Sequence, residues 1–511
     1  MEKLHNSTYL FYFSIFSIGV ISTFAIPPFS FLPLIFALGF GIYLISFISS
    51  FKKTFLAGWI LGFGWFSFGL YWIGLAFLVS DTYSIFLMPL SVVILPCILS
   101  FFWGCAFLCA KLITKKNKSP ILMIIIFLSL FEYLRAHLFT GFPWLMPSMV
   151  LTSNIYIIQV LSFIGSFTGN LIIFTLSVLP SILFFNMKYK YLVSTLLLVP
   201  TFMLFCFGGI RFSNKEIIPK NDNQLISLVQ PNILQKDKWD LKKRKDHIKQ
   251  LIKLSTENSE RYKDKNRLII WPETSFEGSI PNEISLLSNI SQKILKNKKA
   301  TLVVGLLSNQ NEKLFNSLVF LNSDGKINYH YNKIHLVPFG EYIPFRSYLS
   351  TIANFFSPRD FSQGSFQQNF YLKGFGEIIP LICYEILFSD EVYKKISEKT
   401  KLLINITNDA WFGKSVGPFQ HLSLAKIRAV ELGLPLARVA NTGFSAFISP
   451  YGEEITKIPL DVSGVQTVGL YPPLDDTLYK KYGELIFIIS IAYILVINLM
   501  INRKKEEFNE K

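Results

Sequence analysis

Eight long apolar runs dominate the chain, at 9–26, 31–50, 55–79, 84–111, 120–138, 157–186, 190–209 and 485–502, with Gly, Pro or Lys between them. A hydrocarbon layer about 30 Å thick takes roughly 20 apolar helical residues to cross. Each run is therefore predicted to be a membrane-spanning helix. Lys3 ahead of the first run imitates a signal peptide, but no small-residue cleavage site follows and seven more apolar runs do; the first run is expected to be a retained helix.

From about residue 224 the pattern changes to apolar runs of four to eight residues separated by polar helical stretches. Strands are predicted at 225–229, 268–271, 301–305, 317–321, 378–383, 402–407 and 436–440, and helices at 239–260, 282–297, 388–398 and 419–432. Such alternation predicts an α/β layered-sheet domain. No internal repeat interrupts it. The stretch 340–375 is too long for an ordinary connection, and Phe345, Tyr348, Leu349, Phe355, Phe356 and Phe361 make it apolar. It is expected to be a functional loop that dips toward the bilayer, with a loop packed on its own domain as the alternative.

Charge orients the bundle. Lys52 and Lys53, then Lys111, Lys115, Lys116 and Lys118, then Lys188 and Lys190 fall in alternate loops, and Arg503, Lys504 and Lys505 follow the last run. Basic residues in short loops stay cytoplasmic. Seven spans before residue 210 then place the segment 211–484 outside the cytoplasm, giving three expected regions: 1–210, 211–484, and a last span with its tail at 485–511. The formal net charge of +16 is accounted for by these loops and by helical stretches such as 236–253. No basic stripe with interleaved aromatics predicts a nucleic-acid partner.

Composition adds one point. The chain is 51% hydrophobic with a mean hydropathy of +0.40, more than one soluble core requires. Of its cysteines, Cys97, Cys105, Cys109 and Cys206 lie in apolar runs, which leaves Cys383 as the lone thiol of the outer domain, with no partner there for an internal disulfide.

Three predicted strand ends or mixed segments carry polar residues: Glu273 after Leu-Ile-Ile-Trp-Pro, Lys333 within His-Tyr-Asn-Lys-Ile-His, and Cys383 within Pro-Leu-Ile-Cys-Tyr-Glu. Strand ends hold side chains rigidly at one rim of a sheet. A thiol is mostly protonated at neutral pH, so a carboxylate such as Glu273 is suited to accept its proton. Lys333 and the backbone N–H of Tyr384 are candidates to stabilise the resulting oxyanion. Taken singly, each has a plainer role: a buried small hydrophobe for Cys383, a helix-start carboxylate for Glu273, a solvated charge for Lys333. The combination favours chemistry. His335 and His421 lack the spacing of a metal set and are expected to be structural, so no metal or cofactor is predicted. Trp144 is expected to be an interfacial anchor rather than a gate, and Asn408 and Asp409 to be turn formers.

Trp271-Pro272-Glu273, the run from Tyr331 through Lys333 to Phe339-Gly340-Glu341-Tyr342-Ile343-Pro344, and Cys383-Tyr384-Glu385 resemble the motifs of the nitrilase superfamily in its membrane branch, the apolipoprotein N-acyltransferases. Gln230-Pro231-Asn232, Thr407-Asn408-Asp409-Ala410-Trp411-Phe412-Gly413 and Ala440-Asn441-Thr442-Gly443 extend the resemblance over nearly the whole chain. It implies an α-β-β-α sandwich on an eight-helix bundle in a bacterial inner membrane, with the catalytic domain periplasmic. Glu273 would be the base, Lys333 the oxyanion residue and Cys383 the nucleophile. Glu341 would hold the lysine, Tyr384 and Glu385 flank the nucleophile, and Trp239 lies near the lipid site. The implied reaction takes an acyl chain from a phospholipid and passes it, through a Cys383 thioester, to the α-amine of a diacylated apolipoprotein, with the enzyme a monomer. A membrane-tethered amidase or thioesterase is the alternative within enzymes, since the three residues alone do not choose between water and an amine. A transporter with an accessory domain is disfavoured by the scarcity of intramembrane charges beyond Glu132 and Arg135.

Overall fold

The computed structural model describes residues 8–79, 88–114, 119–184, 189–215, 221–257, 259–296, 299–347, 359–366, 369–474 and 477–509, with side chains through 501. The N-terminal part is a bundle of helices α1 (Thr8–Ser22), α2 (Ile35–Ser46), α3 (Phe51–Gly69), α4 (Met88–Ile113), α5 (Ile121–His137), α6 (Leu161–Ile182) and α7 (Lys190–Ser213). Small residues let these helices approach closely. A side chain at Gly64 of α3 would sit 2.2 Å from the Phe16 carbonyl oxygen of α1.

A helix lies at each of the eight predicted positions, but the count of eight spans is not confirmed. Among the described residues five helices are long and apolar enough to cross, and a sixth forms if Phe51–Gly69 and Tyr71–Leu78, bent by 50°, make one broken span. Leu32–Ser46 and Leu485–Ile501 are apolar but shorter. The physical reason for the first is visible in the chain: Pro33 starts the segment in a 3-10 turn, so fewer residues remain for α-helix.

The C-terminal part is built on two sheets. The first has the order β13-β1-β2-β4-β5-β6, with β3 on the side of β4, from β1 (Asn221–Gln230), β2 (Asn266–Ile270), β3 (Ser279–Ile280), β4 (Ala300–Gln310), β5 (Lys313–Leu321), β6 (Ile327–Asn332) and β13 (Gly464–Leu470). The second has the order β12-β11-β10-β9-β8-β7, from β7 (Phe370–Leu372), β8 (Gly376–Ile382), β9 (Thr400–Thr407), β10 (Leu436–Ala440), β11 (Ser445–Ile448) and β12 (Glu454–Ile458). The central strands β1, β2 and β4, and likewise β8, β9 and β10, run parallel, and their apolar runs are covered on both faces.

One apolar core lies between the sheets, with Ile226, Leu268 and Phe320 facing Ile382, Ile404 and Val439. Helices α8 (Leu241–Thr256) and α9 (Ile284–Ile294) cover the far face of the first sheet through Leu251, Leu254, Leu287 and Ile290. Asp240 caps α8, its Oδ1 accepting from the Lys242 N–H at 2.9 Å. The far face of the second sheet packs on α10 (Ser389–Lys394) and α11 (Gly417–Leu432), and that core runs without a break into the helical bundle. A short helix α12 (Leu478–Tyr482) leads into α13 (Leu485–Asn509), which packs on α5 and α6.

Candidate active site

The sandwich brings three chain turns together. Glu273 stands just past β2, Lys333 directly follows β6, and Cys383 directly follows β8. Strand β4 passes so close to the first turn that a side chain at Gly305 would sit 2.4 Å from the Pro272 carbonyl oxygen and 2.7 Å from Glu273 Cα. Only glycine lets the carboxylate turn rest there. Thr274 and Cys383 both have φ values in the left-handed region, +46° and +51°. Non-glycine residues hold such conformations only where surrounding contacts impose them.

Around these turns, buried carboxylates gather the hydrogen bonds of the site. Lys333 Nζ lies 2.8 Å from Glu341 Oε2 and 3.8 Å from Glu273 Oε1. Asn316, on β5, donates through Nδ2 to both carboxylates, 2.7 Å to Glu273 Oε1 and 3.0 Å to Glu341 Oε1. Glu341 also accepts the Val337 N–H at 2.8 Å. Glu385 Oε1 accepts the Tyr331 hydroxyl at 2.7 Å and the N–H groups of Ile334 and His335, while its Oε2 accepts the Ile382 N–H at 2.7 Å. One carboxylate thus ties the lysine's segment to the strand that presents the thiol.

A second network lies behind Cys383. Asn405 Nδ2 donates to the Cys383 carbonyl at 3.3 Å, and Arg438 Nη1 donates to Asn405 Oδ1 at 2.6 Å. Arg438 Nη2 also donates to Asp409 Oδ2 at 2.7 Å, and Asp409 Oδ1 meets His421 Nδ1 at 2.9 Å and the Thr407 hydroxyl at 3.1 Å. Tyr384 sends its hydroxyl into the bundle side, donating to the Gly141 carbonyl at 3.2 Å.

The electrostatics sort these groups by role. Burial pushes the Glu273 carboxyl above the ordinary carboxylate range, with Lys333 opposing and Glu341 adding to it. Burial works against the Lys333 ammonium, but Glu341 and Glu273 outweigh it and hold its pKa above that of a free lysine. Burial pushes the Cys383 thiol far up, the Glu273 charge adds to this, and Lys333 and a Thr407 hydrogen bond pull against it. A thiol in that state is protonated at rest and needs a base at the moment of attack. Burial also works against Asp409, yet Arg438 and His421 hold its pKa down at about 2.

The structure therefore gathers Glu273, Lys333, Cys383, Glu341, Tyr384 and Glu385 in one place. Trp239 is half exposed, with φ at +70° and its N–H on Glu277 Oε2 at 3.2 Å. Its neighbour Lys238 is the one that reaches the Glu273 turn. Other expectations change. Trp144 is not an interfacial anchor: it is buried, donates through Nε1 to Gln420 Oε1 at 2.9 Å and packs on Trp72, because Gln420 gives its indole N–H a partner inside the protein. Asp409 is more than a turn former, being the buried partner of Arg438. Asn408 does cap the turn that follows, accepting the Ala410 N–H at 3.4 Å. His335 pairs with Glu391 and His421 with Asp409, and among the described residues no group of three or more His, Cys, Asp or Glu is arranged to hold a metal. Within 340–375, Phe345 is exposed and the Phe361 N–H donates to the Glu341 carbonyl at 2.8 Å; Tyr348, Leu349, Phe355 and Phe356 lie outside the described residues.

Sequence reasoning missed Asn316, Lys238, Thr407 and Arg438. Arg438 did carry a signal, a full charge inside the apolar strand Leu-Ala-Arg-Val-Ala, which only a buried counter-charge makes tolerable.

Residues 225–472 match the carbon-nitrogen hydrolase family, and residues 18–179 match the apolipoprotein N-acyltransferase N-terminal domain. An apolipoprotein N-acyltransferase from Rhodopseudomonas palustris is 33% identical over 95% of this chain and 94% of its own length. One from Rickettsia prowazekii is 31% identical over 95% of this chain and 97% of its own. Among solved structures, an amidase from Nesterenkonia sp. aligns with 53% of this chain and 97% of its own, at 18% identity and a TM-score of 0.38.

Proposed function

The chain belongs to the apolipoprotein N-acyltransferases, and from that premise we propose that Cys383, Glu273 and Lys333 carry an acyl group through a thioester. It is a multi-pass membrane acyltransferase. The observation that supports these roles is the buried arrangement in which Lys333 lies 2.8 Å from Glu341 and 3.8 Å from Glu273, with both Glu273 and Lys333 acting electrically on the Cys383 thiol.

In the first half-reaction Glu273 takes the thiol proton as sulfur bonds to the ester carbonyl of a phospholipid. Lys333, charged at all working pH, faces the oxyanion that forms. Collapse breaks the ester C–O bond, Glu273 returns the proton to the departing alcohol, and a lysophospholipid leaves. In the second half the α-amine of a diacylated apolipoprotein attacks the thioester, Glu273 accepts its proton, and the cysteine leaves as thiolate and is reprotonated. Burial raises the Glu273 pKa, which strengthens the carboxylate as a proton acceptor and narrows the gap to the groups it must reprotonate.

The same reading divides the chain at 1–210, 211–484 and 485–511, with the middle region on the periplasmic side of a bacterial inner membrane and the enzyme a monomer. The alternation of Lys52, Lys53, Lys111 and Lys190 with loops poor in basic residues supports that orientation. A periplasm-dependent reporter fused after Arg211 should be active, and cytoplasmic activity there would reverse the orientation. Light scattering in detergent tests the monomer.

Mass spectrometry of the enzyme with phospholipid alone tests the chemistry. An acyl mass on Cys383 and a stoichiometric burst of lysophospholipid are expected, with turnover waiting for an amine acceptor. Cys383→Ala abolishes both steps, and Lys333→Ala slows acylation by about 3 kcal/mol in activation free energy, roughly a hundredfold. Steady release of free fatty acid without acceptor would make water the second substrate and overturn the transferase mechanism.

A further inference from the structure

A second lysine is buried at this site. Lys238 sits between the turn Gln235–Asp237 and the start of α8, and is 6% exposed. Its Nζ donates to the Thr274 hydroxyl at 2.9 Å and to the Glu273 carbonyl oxygen at 3.3 Å. Both acceptors belong to the strained turn that aims the Glu273 carboxylate, since Thr274 carries φ of +46°. An ammonium held by two neutral oxygens in a buried place is an unusual expense for a fold, because desolvating it costs several kcal/mol unless a nearby charge compensates.

The compensation appears when the buried charges are balanced. Glu341 and Glu273 share Lys333, at 2.8 Å and 3.8 Å. One cation between two carboxylates leaves an excess negative charge, which favours a protonated, useless base. Lys238 supplies the missing positive charge: its field acts on Glu273, and the fields of Glu273 and Glu277 act on it. The other charged groups acting on Glu273 are Lys333 and Glu341. Glu277 is itself engaged by His247 at 2.8 Å and by the Trp239 N–H, so it is a partial partner for Lys238. With Lys238 charged the set is neutral before proton transfer, and neutral again when the proton has moved from the thiol to Glu273.

We infer that Lys238 is a positioning residue for the acyl transfer: it fastens the Glu273 turn and supplies the second positive charge that keeps Glu273 ionised as the resting base. Burial lowers its own pKa to about 8, with Glu273 and Glu277 opposing the shift, so it is charged over the range in which Glu273 must titrate. The inference rests on the assignment of Glu273 as the base.

The test uses the full-length enzyme in lipid vesicles, a defined phospholipid, and single-turnover acylation of Cys383 followed by mass across pH. Wild type is compared with Lys238→Gln, which keeps a hydrogen-bond donor without the charge, and Lys238→Arg, which keeps the charge. Losing a nearby cation raises a carboxyl pKa, so the acidic limb of the K238Q profile should move to higher pH by about 0.3 to 1 unit. The K238R limb should stay with wild type. A K238Q profile that is lower at every pH with its acidic limb unmoved would show a merely structural lysine and overturn the inference. So would a K238R limb displaced as far as that of K238Q. Should K238Q fail to fold, Lys238→Met gives the neutral arm, and a K238R limb that moves with the charge retained is decisive by itself. Glu273→Gln run alongside separates the two levels: if that variant still acylates, the base assignment itself has failed.

Discussion

Asn316 joins Glu273 and Glu341 through a single amide, at 2.7 Å and 3.0 Å. That hydrogen bond favours the ionised form of Glu273. Asn316→Leu keeps the shape and removes the bond, so the acidic limb of acylation should move to higher pH and the rate at neutral pH fall by about tenfold, the equivalent of about 1.4 kcal/mol. A stopped profile of acylation against pH checks both. The sign follows from the direction of the shift: a base whose pKa rises is lost at a higher pH as the solution is acidified. At this scale the sequence pointed to Glu273, Lys333 and Cys383 as candidates, which the fold brings together, and hid the groups that support them. Glu273 and Cys383 end apolar runs and so stand out, and Lys333 stands out by the motif around it, whereas Asn316 lies in Phe-Asn-Ser, where a polar residue on a strand reads as solvent-facing. Burial of both faces of β5 is a property of the assembled sandwich, which no local pattern contains.

Among the elements, the loop after α5 joins the bundle to the segment that carries Cys383 and Tyr384. Arg135 of α5 pairs with Glu132, whose Oε1 also accepts the Trp103 indole N–H at 2.8 Å, and the guanidinium donates to the carbonyls of Phe142 and, at 3.0 Å, Trp144. The Gly141 carbonyl of that loop receives the Tyr384 hydroxyl. Arg135→Met leaves Glu132 charged and unpaired in the bundle, a loss of about 3–5 kcal/mol that thermal unfolding in detergent will register. Adding Glu132→Leu should restore most of the stability but not the acylation rate, because the loop carbonyls stay untied; full recovery of both would make the pair purely structural. Element by element, the long apolar helices and the seven buried strands were legible, since each is a run whose residues agree. The strands β6, β11, β12 and β13 were not. Ile-Asn-Tyr-His-Tyr-Asn has no apolar run to announce β6, and β13 is broken by Gly464 and Gly469; their pairing with β5 and β1 makes them strands.

For the whole molecule, the change from long apolar helices to an α/β sheet part was readable from where the long runs stop, but the depth of their union was not. A single apolar core contains Trp65, Trp103 and Phe174 of the bundle together with Ile379, Leu381 and Leu403 of the second sheet. Trp72 and Trp144 donate their indole N–H groups to the same Gln420 oxygen, at 3.0 Å and 2.9 Å, and Gln420 in turn donates to the Gly69 carbonyl at 3.1 Å. Residues 221–472 expressed alone should therefore aggregate rather than run as a soluble monomer in size-exclusion chromatography, because one face of the sandwich has been left for the bundle to cover. A well-behaved soluble fragment would refute that. The Gln420 junction also sets a rule for exchanging halves between relatives: a hybrid of one bundle with another catalytic region has its true suture at Trp72, Trp144 and Gln420, far in sequence from the cut, and grafts should be chosen by compatibility of those three residues rather than by the length of the connecting chain.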